Sequence, residues 1–260
     1  MRLDVFLFEK SLAKSRSYAG ELIKKGLVEV DGRTVTKPAF EVDKALFDSI
    51  KVTGELFSFV GRGGMKLDSA LSRFGIDACG MTAIDVGAST GGFTDCLLKR
   101  GAKKVYAVDC GHGQLDKTLL CDSRVVNMEG FNARNISPET VGEMCDIAVC
   151  DLSFISQTLV IKEIATVLKE GAVFVTLIKP QFECGRQAIG KGGIVKNKKD
   201  HEYACRKVID FAKDRGFGCR DIALSPIKGG DGNTEFLALF QKGGETLVSE
   251  ERIREVTRGD

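Results

Sequence analysis

The run Ile84-Asp85-Val86-Gly87-Ala88-Ser89-Thr90-Gly91-Gly92-Phe93 decides how the rest of the chain is read. An apolar segment gives way to glycines and then to a helix-length segment, which reads as a strand turning into a helix. Glycines at such a turn let the backbone approach a ligand closely. Their spacing is GxxxGG, not the GxGxxG of a dinucleotide site. A pyrophosphate wants the helix N-terminus free of acid, yet Asp85 stands just before the turn. A carboxylate there suits a cationic ligand, so S-adenosylmethionine, with its ammonium and sulfonium, fits better than NAD. A second acid, Asp109, ends the next apolar run (KVYAVD) 22 residues after Gly87, placed to accept ribose hydroxyls.

The expected cofactor is therefore S-adenosylmethionine, held by Asp85, Gly87, Ala88, Ser89, Gly91, Gly92, Phe93 and Asp109. Asn127, Glu129 and Asn132 follow the third apolar run. They either meet the adenine edge or are ordinary loop residues, and Asn132 is counted with the cofactor set.

Outward from this motif, TAIDVGA, KVYAVD, RVVNME, CDIAVCD and AVFVTLIK alternate with helix- or loop-length segments. That alternation predicts a parallel sheet covered by helices on both faces. GCRDIALSPI and TEFLALFQ add two strands. The 228–233 loop between them is too short for a crossover helix, so this pair should be antiparallel. The expected fold is α/β, a Rossmann-like seven-stranded methyltransferase sheet with an antiparallel last strand.

In open α/β sheets, ligands bind outside the carboxyl ends of the parallel strands. Asp151 and Lys179 end the fourth and fifth strands. Glu235 opens the last strand, which runs the other way, so it reaches the same rim. Lys66 is expected to start a helix just after a glycine joint. A ribose 2′-hydroxyl is a poor nucleophile until it loses its proton. A lysine beside a second cation in a partly desolvated cleft has its pKa lowered and acts as a base. Lys179 is the candidate base, Lys66 the neighbouring cation, and Asp151 and Glu235 the groups that orient them.

The amino-terminal 58 residues read as a separate small α+β unit. Leu3, Phe6 and Leu7 share one helical face; Ser15 caps a second helix that Gly26 stops. LVEV-DG-RTV then forms a hairpin. This arrangement resembles the RNA-binding domain named after ribosomal protein S-four, on the run SRSYAGELIKKGLVEVDG. The resemblance implies that Lys14, Arg16, Lys24 and Lys25 meet RNA phosphates. Residues 59–66, FVGRGGMK, read as a flexible linker, 67–245 as the catalytic domain and 246–260 as a tail with a short helix. Arg62 in the linker, and Arg186 and Lys191 in the basic glycine-rich loop after Lys179, are assigned to RNA as well. That loop either closes over an RNA backbone or is an ordinary solvated loop.

Composition sets limits. The 260 residues are 43% hydrophobic and 28% charged, an ordinary globular profile. With 38 basic and 36 acidic residues the net charge is +2, so any basic face is local. Nine cysteines stand without a CxxC pair beside only two histidines, so no metal site is expected. Reduced, mostly buried thiols, including Cys110 and Cys150, are expected in a cytoplasmic protein. No apolar run approaches the ~20 residues of a transmembrane helix, and no obligate protein partner is implied.

In combination, DVGASTGGFTD, DLSFIS, LIKPQFE and GNTEFLALF, with GRGGMKLDSAL upstream, resemble the TlyA family over nearly the whole chain. Members pair an S-four-type domain with an FtsJ-like ribosomal-RNA methyltransferase domain and often carry the label hemolysin A. The resemblance implies a Lys-Asp-Lys-Glu tetrad for 2′-O-methylation, falling on Lys66, Asp151, Lys179 and Glu235. It implies as substrate a cytidine ribose in ribosomal RNA or ribosomal subunits. The rivals are a base N-methyltransferase, whose two prolines are lacking from Asp151-Leu152-Ser153-Phe154, a membrane-lytic protein, as the older label suggests, and a pure RNA-binding module.

Overall fold

The structure, a computed structural model, describes residues 1–13, 15–54, 59–230 and 232–259. The chain forms two compact units, Met1–Ser58 and Phe59–Asp260.

In the first unit, α1 (Leu3–Glu9) buries Leu3, Phe6 and Leu7. The Ser15 hydroxyl accepts the Tyr18 N–H at 3.1 Å and starts α2 (Arg16–Lys24). Strands β1 (Val28–Val30) and β2 (Arg33–Thr34) join through Asp31 and Gly32, at φ 51° and 71°. Two successive positive φ values are what a tight hairpin turn of matching twist requires. On its other edge β1 pairs antiparallel with β3 (Ile50–Val52).

The second unit begins with α3 (Arg62–Phe74), ended by Gly75 in the left-handed region. Then follow β4 (Thr82–Val86), α4 (Gly92–Lys99), β5 (Lys104–Asp109), α5 (Lys117–Leu120), β6 (Val125–Glu129) and α6 (Pro138–Val141). Next come β7 (Cys145–Cys150), α7 (Ile161–Val167), β8 (Leu168–Ile178), α8 (Pro180–Glu183) and α9 (Lys198–Lys213). Strands β9 (Phe217–Leu224) and β10 (Phe236–Lys242) and helix α10 (Glu250–Arg258) complete it.

Seven strands form one sheet in the order β6-β5-β4-β7-β8-β10-β9. β10 is antiparallel to both its neighbours; the other pairings are parallel. An apolar layer covers each face: Ile84, Ala148, Phe174 and Phe236 look into one, Ala83, Val105, Ile147 and Leu177 into the other. That split follows from the two-residue period of side chains along a strand. The expected methyltransferase sheet with its antiparallel last strand is what forms.

Two local expectations change. Residues 59–66 are not a slack joint: the helix starts at Arg62, so Lys66 lies one turn inside it. The Val60 N–H donates to Asp95 at 2.9 Å, and a side chain at Gly64 would collide with the Phe59 ring. A Cβ at Gly92 would lie 3.0 Å from the Gly64 nitrogen. These glycines serve the close crossing of α3 over the start of α4. Cys110 is exposed, because it lies one residue beyond the strand. Among the described residues no helix is long and apolar enough to cross a membrane.

Candidate active site

β4 ends at Val86, and Gly87 (φ 90°) turns the chain across the carboxyl edge of the sheet. A Cβ at Gly87 would sit 2.8 Å from the Asp151 carbonyl oxygen, so no other residue fits there. The Gly87 and Ala88 N–H groups both donate to Val108, at 2.8 and 3.0 Å. Ser89 (φ 48°) donates its N–H to Asp109 Oδ2 at 2.8 Å, and Gly111 donates to Asp109 Oδ1 at 2.8 Å. The loop is thereby sewn to the end of β5, with the Asp109 carboxylate as the knot.

Two cavities adjoin over this loop and share Gly87, Ser89, Asp151 and Ser153 as wall. The smaller, about 180 Å³, is completed by Gly63, Ala88, Thr90, Gly92, Phe93 and Lys179. The larger, about 610 Å³, runs past Asp109, Cys110, Gln114, Asn132, Arg134 and Phe154. A nucleoside-sized pocket leading to a small charged chamber has the shape for a nucleoside that carries a short charged arm.

The residues expected to hold the cofactor divide. Gly87, Ala88, Ser89, Gly92, Phe93, Asp109 and Asn132 line these cavities. Gly91 does not; its missing side chain leaves room for Leu115 and Leu119. Asp85 lies behind the loop and is fully buried. Its Oδ2 accepts the Thr94 hydroxyl at 2.7 Å, and its Oδ1 has no hydrogen-bond partner among the described residues. Burial pushes this carboxyl up to about 7, and the nearby charges of Asp151 and Asp109 push the same way. Asp85 lines neither cavity.

Asn127 and Glu129 are loop-holding residues. Glu129 Oε1 accepts the N–H groups of Gln114 (2.5 Å) and Leu115 (3.0 Å), and the amide of Asn127 donates to its other oxygen at 3.1 Å. Those backbone donors hold the Glu129 carboxyl below its usual range. Asn132 caps a short helical turn by accepting the Arg134 N–H at 3.0 Å while facing the larger cavity.

The four charged residues meet as two ion pairs. Lys66 Nζ is 2.5 Å from Glu235 Oε2, and Lys179 Nζ is 2.6 Å from Asp151 Oδ1. Lys66, Lys179 and Glu235 are buried, at 7%, 8% and 3% exposure. Lys179 also donates to Ser153 Oγ at 3.0 Å. A Cβ at Gly229 would lie 2.5 Å from Glu235 Oε1, so the glycine loop before β10 leaves room for this carboxylate.

Sequence reasoning missed Ser153, Gly63 and Phe154. Only Phe154 carried a signal, as an aromatic three residues after Asp151. Its side chain is 88% exposed, its backbone is left-handed (φ 70°), and its ring leans on Phe182 with centroids 5.4 Å apart.

Of the expected RNA contacts, Lys14 lies outside the described residues. Arg16 and Lys24 are exposed, and pair with Asp4 (3.4 Å) and Glu21 (2.8 Å). Lys25, Arg62, Arg186 and Lys191 are exposed as well. Arg62 stands beside Gly230, near the loop that leads to Glu235.

Comparison with known proteins gives this geometry a family. Residues 59–242 match the FtsJ-like methyltransferase family, and residues 1–45 match the S4 domain. The 16S/23S rRNA (cytidine-2′-O)-methyltransferase TlyA of Mycobacterium tuberculosis is 40% identical over 256 residues, covering 95% of each chain. Hemolysin A of Brachyspira hyodysenteriae is 44% identical over 241 residues, 92% of this chain and 99% of that one. A solved structure from Streptococcus thermophilus, under a provisional hemolysin label, superposes with a TM-score of 0.79 at 39% identity. It covers 100% of this chain and 94% of that one. The chain belongs to the TlyA family of FtsJ-like methyltransferases, enzymes that use S-adenosylmethionine.

Proposed function

We propose that this protein methylates the 2′-hydroxyl of a cytidine ribose in ribosomal RNA, acting in the cytoplasm on ribosomal RNA or ribosomal subunits. The observation that carries the reading is the two lysine–carboxylate contacts, Lys66–Glu235 and Lys179–Asp151, the second of which lines the donor cavity. Base methylation has no use for two buried lysines; removing a ribose proton does. The Mycobacterium tuberculosis relative, named for cytidine-2′-O chemistry on 16S and 23S rRNA, supports the choice of substrate.

When bound, S-adenosylmethionine supplies a methyl group already activated on sulfur. Asp109 would accept its ribose hydroxyls, Asn132 would stand at the base, and Gly87, Ala88, Ser89, Gly92 and Phe93 would wall the charged arm. Lys179 would take the proton from the 2′-oxygen as that oxygen attacks the methyl group. Lys179 would keep that proton while the methyl group is transferred. Asp151 and Ser153 hold the Lys179 amine in place. Glu235 orients Lys66, whose positive charge faces the developing oxyanion. Positioning of an activated donor supplies much of such a rate. Phe154, bare beside this rim, is shaped to stack on a base turned out of the RNA. Exposed cations of the first unit, with Arg62, Arg186 and Lys191, hold phosphates.

Mapping ribose methylation on ribosomal RNA tests this reading, in cells with and without the protein and in vitro on separated subunits. Alkali-resistant methylation at a cytidine is expected. Methylation on a base overturns it.

A further inference from the structure

Behind the site, away from both cavities, lies a buried polar cluster that the chemistry above does not use. Glu183 is 4% exposed, yet its carboxylate accepts three hydrogen bonds. The Ser156 hydroxyl and the Lys207 ammonium reach Oε2 at 2.5 and 3.0 Å, and the Gln157 N–H reaches Oε1 at 2.8 Å. Lys207 also donates to the Glu183 carbonyl at 2.9 Å. Gln157, 2% exposed, points back the other way. Its Oε1 accepts the Thr176 hydroxyl at 2.6 Å, and its amide donates to the Leu177 carbonyl.

Chain order gives this cluster its meaning. Glu183 stands four residues after Lys179, and Ser156 and Gln157 stand five and six residues after Asp151. Thr176 and Leu177 stand three and two residues before Lys179, near the end of β8. Two segments leave adjacent strand ends, each carrying one member of the Lys179–Asp151 contact. They are tied to each other in both directions: Glu183 grips the segment after β7, and Gln157 grips β8. A buried ionic cluster is poor evidence for stability, since apolar side chains of the same volume serve as well or better. A polar one fixes geometry instead, because hydrogen bonds demand direction.

We propose that Glu183 and Gln157 are positioning residues that set the Lys179–Asp151 geometry, with Lys207 supplying the counter-charge. This rests on the reading of Lys179 as the proton acceptor. Displacing reacting groups by about 1 Å costs on the order of 10²-fold in rate. Loss of this staple therefore acts on the methyl-transfer step and not on the binding of either substrate.

Single-turnover methylation of isolated ribosomal subunits across pH, in the full-length protein, is the test. Glu183→Gln, which keeps shape but presents a donor to Lys207, is expected to lose roughly 10²-fold in rate. Its affinity for S-adenosylmethionine and for subunits should stay within twofold, and the pH of half-maximal rate should move. Ser156→Ala removes one bond onto Glu183, together with the hydroxyl's contacts to Thr158 and Lys207. It covers the case in which Glu183→Gln does not fold, and it should lose less in rate with the same pattern. Folded variants with the wild-type rate and pH profile overturn the proposal. So does a rate loss matched by an equal loss of binding, which marks the cluster as plain scaffold. Lys179→Ala in the same assay separates the two readings. If it remains active, the reading of Lys179 fails; if it is inactive while Glu183→Gln and Ser156→Ala are normal, the positioning proposal alone fails.

Discussion

Ile178 lies directly opposite Phe236 across the antiparallel β8–β10 ladder, which places Lys179 and Glu235 side by side at the sheet rim. One residue of slip would turn Phe236 outward and Glu235 away from Lys66. The site is thus set by register, along a strand whose Phe236–Phe240 run is apolar and buried on both faces.

Lys179 is the first position to test. Lys179→Ala should lose roughly 10²–10⁴-fold in single-turnover rate, the usual contribution of a positioned base. Cofactor and RNA affinity should be nearly unchanged, since one buried lysine adds little to many phosphate contacts. Lys179→Arg should not rescue, because a guanidinium stays protonated. Near-normal rates in Lys179→Arg would make the residue a clamp on the RNA.

Asp109 carries the cofactor prediction. Asp109→Ala removes the acceptor for two loop N–H groups and, on the proposed reading, for the ribose hydroxyls. Affinity for S-adenosylmethionine should fall by roughly 1–3 kcal/mol. Calorimetric titration of a folded variant decides, and an unchanged affinity rejects the assignment.

Asp85 links stability to pH. Its carboxyl is raised from the ordinary 3.8 to about 7, chiefly by burial. Between those values the folded chain keeps a proton that the unfolded chain has lost. Stability should therefore be fullest below pH 4 for this group and decline as pH rises toward 7. The whole decline is about 4 kcal/mol by linkage. Asp85→Asn keeps the shape and should flatten that slope in urea unfolding between pH 5 and 8. Equal slopes in both proteins would reject the idea.

The exposed thiols offer a footprint. Cys110 lines the larger cavity, whereas Cys79 and Cys121, also exposed, do not. S-adenosylmethionine should slow maleimide labelling of Cys110 and leave the other two unaffected, as read by peptide mass. Uniform labelling with and without the cofactor would place it elsewhere.

RNA affinity should respond to charge in the first unit. Arg16→Glu with Lys25→Glu should weaken binding to ribosomal RNA and flatten its dependence on salt, because fewer counterions are released. An identical salt slope would leave this unit as scaffold only.

Much of this was legible in the sequence, for identifiable reasons. Apolar runs separated by helix- or loop-length segments, with the short 228–233 loop, gave seven strands with the last one reversed, and topology carried Asp151, Lys179 and Glu235 to one rim. Less legible was everything that depends on close approach. FVGRGGMK reads as a flexible stretch, but its glycines let α3 cross α4 in contact. Asp85 reads as a ligand contact, but the strand's alternation turns it to Thr94. Glu183, Gln157 and Lys207 could not be singled out, since a polar residue destined for burial looks like any other until its partners are known.

The place of β10 in the sheet has a consequence for biosynthesis. Inserted between β8 and β9, it is the last strand to leave the ribosome, so until then β8 presents a bare edge open to mispairing with other chains. Glu235 reaches Lys66 only when that gap closes. A nascent chain can complete its glycine loop early, but it has no assembled rim to spend a methyl donor on until its final strand is in place.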